Sequence, residues 1–158
     1  MHIVKELFDQ LDSGTPRVLL DTCFVFSMLD RHEEHKLNDI DGIGITSFNA
    51  QELLLKEHSV HDSIRHSMRK WLKTKPVVLF TVPVEPGQRE TEKNFVQSVD
   101  PKLLELIADP SDAVLLAAAF QCKANVLTKD RHHLYTAVLE NYAKDYGVQV
   151  YKELKDLL

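Results

Sequence analysis

The chain has 158 residues, 44% hydrophobic and 27% charged, a size and composition that fit one globular domain with a sizeable core. Its formal charge of -5, from 24 acids against 19 bases, means that any contact with nucleic acid must come from a local basic patch. No stretch approaches the ~18 consecutive apolar residues that span a bilayer, and the opening MHIVKELFDQLDS lacks the features of a signal peptide, so a cytoplasmic protein with no membrane contact is expected.

Taken in order, Ile3, Val4, Leu7, Phe8 and Leu11 follow the i, i+3, i+4 spacing of one helical face, and residues 2–12 read as a short amphipathic helix. Ser13-Gly14-Thr15-Pro16 stops it. Residues 1–16 therefore form an N-terminal helical extension to a single core domain, 17–158. That core opens on RVLLDT, in which the apolar run Val18-Leu19-Leu20 ends abruptly at Asp21. A continuous apolar run suits a strand buried on both faces of a parallel sheet. A crossover helix starts over Cys23 to Leu29, and Asp41-Gly42 turns the chain into a second strand, Ile43 to Thr46. Ser47 or Asn49 can cap the next helix, which carries Leu53 and Leu54 and breaks near His58 to His61. A further helix runs from about Asp62 to Leu72, before Lys75-Pro76.

The third strand is expected over Pro76 to Val84, with Pro83 near its end, where a missing donor is tolerated. Helical stretches follow at about Gln88 to Ser98 and Pro101 to Ala108. Asp109-Pro110 then opens a helix over Ser111 to Cys122, whose alanines permit close packing on a sheet. Asn125 to Thr128 is the fourth strand, His132 to Asp145 a helix, and Val148 to Tyr151 the fifth strand, before a helical tail. Strand and helix alternate, which predicts an α/β fold, a three-layer αβα sandwich around a parallel sheet of about five strands. Cys23 and Cys122 lie in apolar contexts and read as buried, reduced thiols.

Four acids stand at the carboxyl edge of this sheet. Asp21 ends the first strand, Glu52 begins the helix after the second, Asp112 lies in the first turn of the alanine-rich helix, and Asp130 follows the fourth strand. Each has a purely structural alternative: Glu52 as the partner of an Asn49 cap, Asp112 as a charge at the positive end of its helix, and Asp130 as a cap. If the fourth strand pairs beside the first, away from the second, the order is 3-2-1-4-5 and all four acids converge at the switch point. Carboxylates so gathered repel unless a cation joins them. With no Cys or His in the set, Mg²⁺ or Mn²⁺ suits it better than Zn²⁺.

LLDT at the first strand, a Glu opening the helix after the second, VPV in the third, then SDAVLLAAA, VLTKD and GVQVY, resemble in this order and spacing the PIN domain, a family of metal-dependent nucleases. The likeness runs from about Arg17 to the end of the chain. It implies that Asp21, Glu52, Asp112 and Asp130 are the catalytic and metal-binding set, that Thr22 and Thr128 are supporting polar residues, and that the reaction is phosphodiester hydrolysis, usually of RNA. In such chemistry divalent ions clamp the phosphoryl oxygens and activate water. Asp109 is the nearest rival to Asp112, but its place before Pro110 suits a cap. The resemblance also brings in a toxin role, with a partner antitoxin and a homodimer; the N-terminal helix departs from the compact toxin pattern and suggests an added packing or interaction element.

Substrate contact calls for cations. Arg65, Arg69, Lys70, Lys73 and Lys75 crowd one helix and its end, and Lys129 and Arg131 bracket Asp130; these can track a phosphate backbone or form a solvated face. Trp71 reads as core. His32-Glu33-Glu34-His35 lacks the spacing of the helical zinc motif. A phosphatase or receiver built on an Asp-centred α/β fold would need acids that Cys23 and Val84 replace, and no glycine-rich strand-to-helix turn supports dinucleotide binding. The reading is thus a divalent-metal-dependent endoribonuclease, with a catalytically silent PIN-like module that binds RNA or protein as the alternative.

Overall fold

The computed structural model describes residues 3–56, 59–74, 77–129 and 134–157. Asp130, Arg131, His132 and His133, with His58, Lys75 and Pro76, lie outside the described residues. Five parallel strands, β1 (Val18–Leu20), β2 (Ile43–Thr46), β3 (Val78–Phe80), β4 (Asn125–Leu127) and β5 (Val150–Tyr151), form one sheet in the order 3-2-1-4-5. The register pairs Leu19 with Gly44 on one side and with Val126 on the other. The expected architecture is the observed one.

Period-2 alternation along the central strands sorts their side chains between two cores. Val18 and Leu20 of β1, Ile43 and Ile45 of β2 and Leu127 of β4 face the first core. There they meet α1 (Ile3–Asp9), α2 (Thr22–Asp30), α3 (Ser47–Lys56) and α4 (Asp62–Thr74). Leu19 and Val126 face the second, covered by α5 (Arg89–Val99), α6 (Lys102–Leu106), α7 (Pro110–Cys122) and α8 (Ala137–Asp145). Parallel crossovers are right-handed, so winding in one direction from β1 to β3 and then back to β4 and β5 places α2 to α4 on one face and α5 to α8 on the other. The result is three layers. Nine consecutive-turn residues of α7, Pro110 and Ala113 to Phe120, are buried, as suits a helix apolar on all sides and sandwiched in a core.

Close approach of backbones fixes one glycine. A Cβ on Gly44 in β2 would lie 2.4 Å from Pro16 Cβ and 2.9 Å from the Val78 carbonyl oxygen, so only hydrogen fits between the N-terminal segment and the neighbouring strand.

Several boundaries differ from those expected. β3 is confined to Val78–Phe80 because the Val82 N–H leaves the ladder and donates to Ser47 Oγ at 2.9 Å, and Pro83 has no N–H to resume it. Residues 148 and 149 do not belong to β5: the Val148 N–H donates to the Ala143 carbonyl at the end of α8, and Gln149 N–H to Asn125 Oδ1. α8 begins at Ala137, after Thr136, whose hydroxyl accepts from Leu139 N–H, so residues 134–136 are not helical, against expectation; the expected start at His132 lies outside the described residues. A 3-10 helix over Glu34–Asp39 occupies what the sequence offers only as a charged stretch. The helix of the N-terminal extension, α1, is a packing element: it lies on α4, and the chain after it pairs with the outer edge of β3, Leu79 N–H donating to Asp12 O at 2.8 Å and Gly14 N–H to Leu79 O at 3.3 Å. An exposed strand edge is thereby covered.

Candidate metal centre

The carboxyl ends of β1, β2 and β4 carry the site. β1 stops at Leu20 because the next residue, Asp21, turns to become the N-cap of α2 while its N–H still donates to the Leu127 carbonyl of β4 at 2.9 Å. Asp21 is thus held by backbone on both sides of the β1–β4 seam. Its carboxylate is not used as a cap; Oδ2 accepts the Thr128 hydroxyl at 2.8 Å. Thr128 is fully buried.

The second strand delivers its acid through a hydrogen-bonded relay. Thr46, the last residue of β2, caps α3: its Oγ1 accepts from Asn49 N–H at 2.9 Å and its proton goes to Asn49 Oδ1 at 2.5 Å. The Asn49 side chain thus accepts from the capping hydroxyl itself, whereas the Glu or Gln of a capping box accepts from the backbone N–H of the capping residue. Ser47 and Asn49 are therefore not the cap, and Glu52 is not a cap partner. With Asn49 fixed, its Nδ2 donates to Thr22 Oγ1 at 2.9 Å and to Glu52 Oε1 at 3.3 Å, and Thr22 Oγ1 donates in turn to Glu52 Oε1 at 2.9 Å. Thr22 and Asn49 are buried, so their polar groups are committed to positioning this carboxylate.

Asp112 arrives from the other core. Asp109 is the N-cap of α7, its Oδ1 accepting from Ser111 N–H at 3.0 Å, with Pro110 entering the first turn. Asp112 then lies exposed in that first turn. Asp21, Glu52 and Asp112 line one pocket of about 170 Å³, together with Thr22, Asn49 and Lys56. Leu134 and Tyr135 close one wall. Burial pushes the Glu52 carboxyl up from its ordinary value, Thr22 and Lys56 oppose that, and Asp21 and Asp112 reinforce it. Burial is the leading cause, and the two neighbouring carboxylates add the smallest contributions.

No family model, curated protein or solved structure matches this chain. The site's chemistry must be read from its own residues.

Among the described residues no group of three or more His, Cys, Asp or Glu side chains is closed around one point as a finished metal shell; the fourth acid of the sequence, Asp130, lies outside them. The donor set is nonetheless one kind. Carboxylate oxygens of Asp21, Glu52 and Asp112 and the hydroxyls beside them are hard donors suited to Mg²⁺ or Mn²⁺. The one sulfur is Cys23, which is exposed and not buried as its sequence context suggested. Its Sγ lies 3.4 Å from Thr128 Oγ1. Partial desolvation and the neighbouring Asp21 push its thiol up, so it stands as a neutral SH and not as the thiolate that a soft metal takes. The residues fit a hard divalent cation.

The basic residues of α4 are elsewhere. Arg65 pairs with Asp62, Arg69 Nε reaches only the Arg65 carbonyl at 3.5 Å, and neither they nor Lys73 line the acidic pocket. Trp71 is core, 1% exposed. Lys129, directly after Thr128, lies with its Nζ 5.9 Å from the centroid of Phe24. Sequence reasoning missed Asn49 as a site residue and saw it only as a cap. The signal was present: Thr46, Asn49 and Glu52 recur every third residue, which sets them along one side of the helix start.

Proposed function

We propose that the protein is a divalent-metal-dependent endoribonuclease of PIN-like architecture. One observation carries the reading: Asp21, Glu52 and Asp112, from three separate elements, meet in one pocket at the carboxyl edge of the sheet, where the strand order reverses between β1 and β4. Acids with no structural work to do would be expected to disperse, because their mutual repulsion destabilises the fold.

In this reading Asp21 and Asp112 would hold Mg²⁺ or Mn²⁺ and Glu52 would ligate it or orient the attacking water; the fourth acid of the sequence, Asp130, lies outside the described residues. A bound ion supplies charge stabilisation for the phosphoryl oxygens and acidifies water. The chain's own residues do the positioning. Thr128 orients Asp21, Thr22 and Asn49 orient Glu52, and the buried hydroxyls prevent either carboxylate from rotating out of the pocket.

The test is cleavage of a mixed RNA substrate with Mg²⁺ or Mn²⁺ by the parent, Asp21→Asn, Asp112→Asn and Asp130→Asn, paired with thermal melts with and without metal. The parent should cleave and gain thermal stability on metal addition, since a ligand that binds only the folded state stabilises it. Asp21→Asn should melt higher than the parent without metal, as repulsion is relieved, yet lose both the metal-induced rise and cleavage. Equal cleavage in all four proteins would sink the assignment. A parent that binds RNA but cleaves nothing under any metal would point instead to the silent binding module.

A further inference from the structure

Beside the acidic site lies a second, larger pocket of about 480 Å³, within the size range of small-molecule sites. Its floor is apolar: half-buried Leu154 of the C-terminal 3-10 turn presents most of it, over Phe24 and Met28 of α2, which are each 3% exposed. Its rim is cationic, from Arg31, Lys36, Lys129 and Lys155. Among the described residues Glu33 and Glu153 are the acids that line it, so four described cations face two described anions. Each acid is paired with a rim cation: Glu33 meets both Arg31, at 4.0 Å, and Lys36, while Glu153 lies 3.0 Å from Lys155. Solvent-exposed pairs of this kind are weakly held and readily exchanged for another anion.

Two segments join this pocket to the acidic site. Phe24 follows Asp21 by three residues in the first turn of α2, and Lys129 follows Thr128, which holds the Asp21 carboxylate. A ligand filling the pocket therefore lies alongside the metal site and not on a remote face.

We propose that this pocket receives one nucleotide of a single-stranded RNA, the residue adjoining the scissile phosphate; the scission rests on the proposed nuclease function, whereas the binding does not. A bare anion would leave the apolar floor uncovered, and an apolar ligand would strip water from four cations with no return. A base on an apolar floor with its phosphates among cations satisfies both parts, which is how single strands are gripped.

Fluorescence anisotropy with a short labelled RNA, on the full chain and without divalent metal, tests it. Arg31→Ala/Lys155→Ala removes two exposed cations, with side chains 62% and 78% accessible, and Ser27→Trp fills the pocket without changing charge. The double variant should bind about 25-fold more weakly at ~0.1 M salt and lower the salt slope by about 1.4. Ser27→Trp should weaken binding without altering that slope, and an abasic strand of equal charge should bind the parent at least ~10-fold more weakly than the RNA. Unchanged affinity in both variants overturns the inference. So does a polyglutamate peptide of equal charge, or a free mononucleotide, binding as tightly as the RNA. Because the readout is metal-free, absence of cleavage defeats the nuclease reading alone, and unchanged RNA affinity in the variants defeats this one alone.

Discussion

Thr128 donates its hydroxyl proton to Asp21 across the β1–β4 seam at 2.8 Å, joining two residues 107 positions apart in the chain. The bond exists only because β4 returns beside β1, and it fixes a carboxylate that the strand end would otherwise leave free to turn. Thr128→Val keeps shape and β-branching but removes the hydroxyl. It should lower stability by about 1–3 kcal/mol, the penalty for losing a buried partner of a charged group, and it should reduce metal-dependent cleavage by more than it changes RNA affinity. Urea midpoints and separate kcat and KM values check both parts.

Gly44→Ala should be among the most damaging single-atom additions in the protein. Its Cβ would meet Pro16 and the Val78 carbonyl at separations that side-chain motion cannot relieve. Overpacking of this sort costs about 1–3 kcal/mol, and separation of β2 from β3 would add to it. Thermal unfolding of the variant beside Gly14→Ala, whose nearest contact is 3.3 Å, should show the larger loss at Gly44.

Lys123→Gly should stabilise the chain. Lys123 follows α7 in the left-handed region at φ 57°, a conformation that costs a side-chain-bearing residue about 1 kcal/mol and glycine little. A rise in the urea midpoint that corresponds to about 0.3–1 kcal/mol, with an unchanged slope, is the expected result.

Alkaline stability should depend on Tyr142. Burial and donation of its proton to the buried Asp100 push its phenol well above the ordinary value of 10. A group whose folded value is raised contributes stability that is complete below the unfolded value and lost as pH climbs past it. The parent should therefore lose stability above about pH 10, and Tyr142→Phe should lose less over the same range. Urea midpoints from pH 8 to 11 would show a parallel decline if the bond is unimportant.

The sequence by itself determined the alternation of strands and helices, the Asp109-Pro110 start of α7 and the core place of Trp71, and made the order 3-2-1-4-5 conditional on β4 returning beside β1. These follow from apolar runs, periodicity and caps, which are short-range and survive in a string of letters. Its errors had different sources, a distant hydroxyl at β3, a neighbouring one at the cap of α3, and exposure at Cys23. Ser47 took the Val82 N–H and cut β3 short, Thr46 took the cap from Ser47 and Asn49, and the open edge beside α2 left Cys23 exposed. Only the tertiary structure decided that Asp21, Glu52 and Asp112 share a pocket, that Asn49 and Thr22 hold Glu52, and that a cation-rimmed pocket adjoins them while the cations of α4 stand away. Convergence of this kind depends on crossover handedness and on which strand returns beside which. Those are properties of the whole folded chain, and no local window of sequence contains them.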